Sequence, residues 1–163
     1  MASDDRPATT GAAAGDAQRG RTEAPVPPAD VALDQTFDRN GLYALRSAVA
    51  AHATELRLNG RRVADLVLIA NELASNAIRH GGSRGRLRLW RGHEAVHCQV
   101  SDRGPGLVDP EHAGTTQAAI GASGGRGLWI IRQLCDRLDI SSDSGGATLT
   151  ATLNVPTEPG ESR

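Results

Sequence analysis

The amino-acid sequence predicts an α+β fold, a two-layer α/β sandwich in which helices cover a mixed, largely antiparallel sheet. Three observations carry that expectation. Two successive stretches space their apolar residues at helical intervals, two later pairs of stretches alternate apolar and polar residues at period two, and one more helical stretch lies between those pairs. Phe37, Tyr43, Trp90 and Trp129 are the only aromatic residues, so the core has to be built from Leu, Ile, Val and Ala. That composition suits helices laid on a sheet.

The 163 residues allow one domain with length to spare, and the expected boundaries are a tail over 1–30, a domain over 31–156 and a short C-terminal tail over 157–163. Residues 1–30 hold four of the eight prolines and, after Met1, no apolar residue larger than Val26. Such a segment cannot bury enough surface to repay its ordering, and disorder is the expectation for both tails.

Val31, Leu33 and Phe37 alternate with polar residues and predict an edge strand, after which Asp38 can cap a helix. Leu42, Leu45, Ala48, Val49, His52, Ala53 and Leu56 then recur at helical spacing between Arg39 and Leu58, with Asn59-Gly60 as the stop. A second amphipathic helix is expected from Arg61 to His80, with Val63, Leu66, Val67, Ala70, Leu73, Ala74 and Ala77 inward and Gly81-Gly82 at its end. Leu87 and Leu89 begin a period-two run that turns at Gly92-His93-Glu94 into Ala95–Ser101, where Val96, Cys98 and Val100 share a face. Residues 108–123 lack sustained periodicity and read as a long mobile loop. Helical spacing returns at Leu128, Ile131, Leu134, Cys135 and Leu138, and a closing hairpin runs through Ser141–Gly146 into the alternating residues 147–155.

A formal net charge of −1 with interspersed signs supplies no basic stripe for phosphate backbones, so nucleic acid is not an expected partner. No stretch approaches the roughly 20 apolar residues of a spanning helix, and none reads as a secretory signal. Cys98 and Cys135 lack metal or redox spacing and read as buried thiols of a reducing compartment. The expected location is cytoplasmic.

Three short segments carry candidate chemistry. Glu72 and Asn76 lie four residues apart, hence on one helix face and off the leucine stripe, where a carboxylate could orient an attacking hydroxyl and an amide oxygen could ligate Mg²⁺. Asp102-Arg103-Gly104-Pro105-Gly106 follows an apolar strand and offers a carboxylate beside glycines that let a flat base approach the backbone. Gly124-Gly125-Arg126-Gly127-Leu128 opens a helix, where exposed N–H groups at the positive dipole end suit a polyphosphate. Each segment alone also fits a plain surface helix, turn or loop end. Neither the Gly-x-x-x-x-Gly-Lys phosphate loop nor a strand followed by Gly-x-Gly-x-x-Gly is present.

Taken together, "VADLVLIANELASNAIRHGG" (residues 63–82), "VSDRGPGL" and "GGRGLWIIRQLCDRLDI" resemble the N box and the two glycine boxes of the histidine-kinase-like ATPase (GHKL) superfamily. The wording "NELASNAIRHGG" and "GGRGL" looks most like the bacterial anti-sigma-factor serine kinases and their ATP-binding regulatory relatives. The resemblance covers about Val31 to Val155 and implies a Bergerat-type ATP-binding fold, with ATP and Mg²⁺ as cofactors. It implies Glu72 as general base, Asn76 as the Mg²⁺ ligand, Asp102 as reader of the adenine amino group, and Gly104 and Gly106 as lining of the base pocket. Gly125, Arg126, Gly127 and Leu128 match the phosphate-binding glycine box, residues 108–123 match the lid, and Arg79 and His80 fall at the end of the N-box helix near the phosphates.

Three functions follow from that resemblance. The first is a serine/threonine protein kinase that phosphorylates an anti-sigma-factor antagonist and sequesters a sigma factor, with homodimerisation possible. The second is a non-catalytic, ATP-dependent partner-binding module. The third is the catalytic fragment of a histidine kinase, for which His52 in "HATELR" is the nearest phosphoacceptor, although it sits on the apolar side of its helix. Retention of Glu72 separates the first from the second, because a nucleotide sensor needs no base.

Overall fold

The computed structural model describes residues 23–117 and 125–155. The tail over 1–22, residues 157–163, Gly124 and residues 118–123 of the expected lid lie outside the described residues.

Eight elements follow in order: β1 (Leu33–Asp38), α1 (Leu42–Glu55), α2 (Gly60–His80), β2 (Arg84–Arg91), β3 (Ala95–Ser101), α3 (Arg126–Leu134), β4 (Arg137–Asp143) and β5 (Gly146–Asn154). The five strands form one sheet in the order β1-β2-β3-β5-β4, and every neighbouring pair is antiparallel. This is the expected α+β sandwich, with no parallel pairing in its sheet. After α3 the chain lays β4 at the far edge, and the β4–β5 hairpin turns β5 back between β4 and β3.

The core forms between one sheet face and the helices. Leu87 and Leu89 of β2, Val96, Cys98 and Val100 of β3, and Leu149, Ala151 and Leu153 of β5 are buried with Leu45 and Val49 of α1 and Leu66, Ile69 and Leu73 of α2. Each fully buried Leu, Ile or Val contributes about 1.5–3 kcal/mol relative to exposure. The single-faced pattern of the strands therefore decides which side the helices take.

Local caps differ from expectation at two places. Asp38 does cap, accepting from the N–H groups of Asn40 and Gly41 at 2.9 and 3.2 Å, but it starts a short 3-10 turn over Arg39–Gly41, so α1 begins at Leu42. The Asn59-Gly60 pair does not stop α1. That helix ends at Glu55, Arg57 takes the left-handed turn at φ 60°, and the Asn59 side chain accepts from the Arg62 N–H at 2.9 Å as the N-cap of α2. Asn serves either terminus, and its extended backbone here leaves the oxygen free for the start of the next helix.

The third helix is also shorter than its apolar spacing suggested. It ends at Leu134, Cys135 is extended, and Leu138 belongs to β4. Arg62 donates to the Leu134 carbonyl at 3.1 Å and to the Asp136 carboxylate at 2.9 Å, so a guanidinium from α2 satisfies the last turn of α3 where a further helical residue would have done so.

Candidate functional site

The site is laid out along one side of α2. Glu72 and Asn76, one turn apart and both half-buried, face the start of α3. A Cβ placed on Gly127 would stand 2.7 Å from Glu72 Oε2 and 3.7 Å from Asn76 Oδ1, so glycine here lets α3 approach without displacing the Glu72 carboxylate. The residue before α3, Gly125, adopts φ 92°, and no side chain caps the helix. The first N–H groups of α3, at the positive end of its dipole, are thus left for a ligand next to Glu72 and Asn76.

The other end of α2 meets the turn after β3. Asp102 Oδ1 accepts from the N–H of Gly104 at 2.9 Å and from that of Ala147 at 3.3 Å, which braces the turn against β5. Gly104 is buried so tightly against the helix end that a Cβ on it would stand 2.5 Å from the Gly81 Cα and 2.7 Å from the His80 carbonyl oxygen. A Cβ on Gly81 would in turn reach 2.5 Å from Asp102 Oδ2. Gly106 stands against the Asp143 carbonyl, and the following Leu107 N–H donates to Ser142 Oγ at 2.6 Å. Residues 72 and 81 are nine positions apart, or about 14 Å along the axis. One carboxylate-and-amide cluster at the α3 end and one carboxylate at the strand end therefore frame an elongated site.

The sequence-predicted residues are not all alike in this frame. Glu72, Asn76, Gly125 and Gly127 come together at one end, and Asp102, Gly104 and the His80 backbone at the other. Arg126 is exposed on the first turn of α3. Leu128 is only 8% exposed and packs in the core, so its backbone alone is available to a ligand. Arg79 is exposed, its Nε donating to the Ser75 carbonyl at 3.4 Å. It borders a cavity of about 440 Å³ together with Arg39, Leu42, Glu72, Ser75 and Ile78. Glu72 is thus reached from two sides, from α3 and from this cavity.

Sequence reading missed Arg39 and Ser75 of that cavity, although Ser75 and Arg79 follow Glu72 at i+3 and i+7 and share its flank. It also missed what anchors the described part of the expected lid. Arg132 Nε donates to the Ala113 carbonyl at 2.8 Å, and Gly114 lies so close to Leu128 that a Cβ would stand 2.6 Å away. Further out, Asp109 bonds the His112 ring at 3.0 Å, which holds its carboxyl below the usual range. His52 is half-buried and pairs with Glu55 of its own helix at 3.1 Å. Burial pushes the Cys98 thiol up to about 12 and that of Cys135 up to about 11, so neither is a thiolate nucleophile at neutral pH. No helix among the described residues is long and apolar enough to cross a membrane.

Residues 36–153 match the family described as the histidine kinase-like ATPase domain. No curated protein is similar to the chain at the sequence level. Among solved structures, the RsbU and RsbW domains of Rv1364c from Mycobacterium tuberculosis are similar at 24% identity and a TM-score of 0.56, over 82% of this chain and 34% of that one. SiaB in the SiaB-SiaC complex from Pseudomonas aeruginosa is similar at 10% identity and a TM-score of 0.52, over 77% of this chain and 91% of that one. The histidine kinase domain of a blue-light-activated kinase from Erythrobacter litoralis is similar at 16% identity and a TM-score of 0.46, over 67% of this chain and 64% of that one. The chain thus spans about a third of the mycobacterial structure and just under two thirds of the Erythrobacter one. At these identities the likeness to the mycobacterial and Pseudomonas structures is one of fold.

Proposed function

The chain belongs to the histidine kinase-like ATPase domain family, and from that premise we propose an ATP-binding regulator of the anti-sigma-factor type. In this reading it transfers the γ-phosphoryl group of ATP to a serine or threonine of an antagonist protein and, when the antagonist is absent, holds a sigma factor. The observation that carries it is the position of Glu72. Its carboxylate lies beside the N-terminus of α3, where the triphosphate would be held, and also borders the cavity through which a protein hydroxyl could enter.

Each residue's work follows from its place. Asp102 Oδ2, left over once Oδ1 has bonded two backbone N–H groups, accepts from the adenine amino group, while Gly104 and Gly106 keep the adjoining backbone low enough for the base. The N–H groups following Gly125 and the Arg126 guanidinium receive phosphate oxygens. Asn76 Oδ1 and the empty side of Gly127 fit Mg²⁺, which binds through few protein oxygens plus substrate phosphates. There the ion would neutralise phosphate charge. Glu72 takes the proton of the acceptor hydroxyl as its oxygen bonds the γ-phosphorus and the bond to the ADP oxygen breaks. Arg39 and Arg79, on the acceptor side, suit an acidic stretch around that hydroxyl. The SiaB structure was solved as a complex with SiaC and the mycobacterial one joins two named domains, which supports a reading in which this fold works against another protein.

The test is Mg-ATP with a purified antagonist-type protein, phosphoserine and phosphothreonine read by mass spectrometry. Glu72→Ala should retain ATP binding and lose transfer by about 10²–10⁴-fold, the usual share of a general base. Transfer undiminished in the variant refutes the role of Glu72. No transfer by the wild-type chain leaves an ATP-dependent binding module, which co-purification with a sigma factor would then identify.

A further inference from the structure

The sheet face opposite the helices carries polar rows, yet parts of it are dry. Trp90, His97, Thr152 and Arg137 stand side by side on β2, β3, β5 and β4. Trp90 stacks on His97 at 5.1 Å, and His97 Nδ1 lies 3.0 Å from Thr152 Oγ1. No helix of the described residues lies on this face, but Trp90 is only 4% exposed and Thr152 8%. In the next row Gln99 is 6% exposed, with Nε2 bonded to Thr150 and Oε1 buried without a partner.

The residues ahead of β1 reach this face from one edge of the sheet to the other. Leu33 begins β1 at one edge of the sheet, whereas the carbonyl of Glu23 accepts from Arg137 Nη2 at 2.7 Å on β4, the opposite edge. Four strand spacings separate those edges, about 19 Å. Residues 23–32 can extend to roughly 33 Å, so the segment crosses the whole sheet without helix or strand of its own. Its sequence, Glu23-Ala24-Pro25-Val26-Pro27-Pro28, favours an extended left-handed helix that loses little entropy on docking. Pro25 and Pro27 are half-buried while Val26 between them is 81% exposed, so alternate residues face inward. Docking of proline-rich segments on aromatic side chains is a recurrent mode of peptide recognition, and Trp90 stacked on His97 offers two such rings.

We propose that the outer sheet face, along the row from Trp90 to Arg137, is a binding surface for an extended proline-rich segment, and that residues 23–31 are its intramolecular ligand. The surface is independent of the nucleotide site, since every residue in that row points away from α2 and α3. While the segment is seated, competing proline-rich peptides are excluded; its release opens the surface to them.

The experiment uses the full-length chain carrying Trp129→Phe, so that Trp90 is the sole tryptophan, with no nucleotide present. Acrylamide quenching reads the cover over Trp90, and far-UV circular dichroism reports that the fold is intact. Pro25→Gly with Pro27→Gly should raise the quenching constant several-fold without altering the spectrum. A synthetic peptide of residues 23–32 should then bind that variant and restore protection, and should not bind the chain with its prolines in place. Equal quenching in both chains, or a peptide that fails to protect the variant, overturns the proposal. Protection that is lost on dilution of the unsubstituted segment places the docking between copies and overturns the intramolecular assignment.

Discussion

Asp102 has two oxygens with separate work, and two substitutions can part them. Oδ1 braces the turn through the N–H groups of Gly104 at 2.9 Å and Ala147 at 3.3 Å. Hydrogen bonds to a charged acceptor contribute about 1.5–3 kcal/mol each, and counting the longer one low gives roughly 2–4 kcal/mol for the pair. In Asp102→Ala both donors lose this partner in a half-buried turn, so the melting temperature should fall by roughly 10 °C for a domain of this size. Asp102→Asn keeps an acceptor at Oδ1 and should cost about 1 kcal/mol or less. At Oδ2, however, the amide presents a donor to the adenine amino group, itself a donor. That mismatch costs about 2–3 kcal/mol, or roughly a 30- to 160-fold loss of ATP affinity. Thermal melts by circular dichroism and calorimetric titration with ATP and GTP separate the two effects. If folded Asp102→Asn binds ATP as the wild type does, Asp102 is only a brace and the base lies elsewhere. If Asp102→Ala melts unchanged, the two backbone bonds carry no stability and the geometric argument for the turn fails.

Two other perturbations follow from contacts of Gly127 and His97. Gly127→Ala places a Cβ 2.7 Å from the end of the flexible Glu72 side chain, so the clash is relieved by displacing the carboxylate rather than by unfolding. The melting temperature should change little while phosphoryl transfer drops, and adding Gly127→Ala to Glu72→Ala should leave the melting temperature of Glu72→Ala unchanged; a cooperative loss of fold in Gly127→Ala would show that backbone, not Glu72, sets the approach. For pH, burial first and the nearby Arg137 second hold the His97 ring below its ordinary value of 6.5. A depressed folded-state value means that the neutral ring stabilises the fold above about pH 6.5 and that this contribution is lost as pH falls through the folded-state value. Urea titrations from pH 7.5 to 5 should show a shallower loss of stability in His97→Gln, and identical slopes in the two chains would remove His97 from the acid response.

What the sequence disclosed of the fold was what depends on near neighbours. The Leu66, Ala70, Leu73 and Ala77 stripe of α2 and the Val96, Cys98 and Val100 alternation of β3 follow from periodicity alone, and both face the core. Ambiguity entered where one residue type serves two local structures. Asn59 can end one helix or start the next, and the choice was made by where Arg62 stands. Leu134, Cys135 and Leu138 keep helical spacing, yet the chain turns into β4 because the Asp136 N–H pairs with the Thr152 carbonyl at 2.9 Å, a contact from a distant strand. The segment over 23–32 is harder still to read, since its composition signals that it cannot fold by itself. It gains a place only through a sheet whose far edge is more than a hundred residues away in sequence, at Arg137.

The candidate site shows the same limit in another form. Gly81, Gly104 and Gly127 look like ordinary turn and loop glycines when each is read with its neighbours. Their actual constraint is long-range: Gly127 must admit Glu72, and Gly81 and Gly104 must admit each other's strand and helix end. A missing side chain leaves no pattern of its own, so the contact that demands it cannot be inferred from one segment. Glu72 and Asn76 become informative only once α3 is known to arrive beside them, because a polar pair on a helix surface is otherwise unremarkable chemistry. The joint order of the three segments could therefore point to the site. Their approach, set by the absent Cβ of Gly127, is what gathers a carboxylate, an amide and a helix end into the one place to which the proposed phosphoryl transfer is assigned.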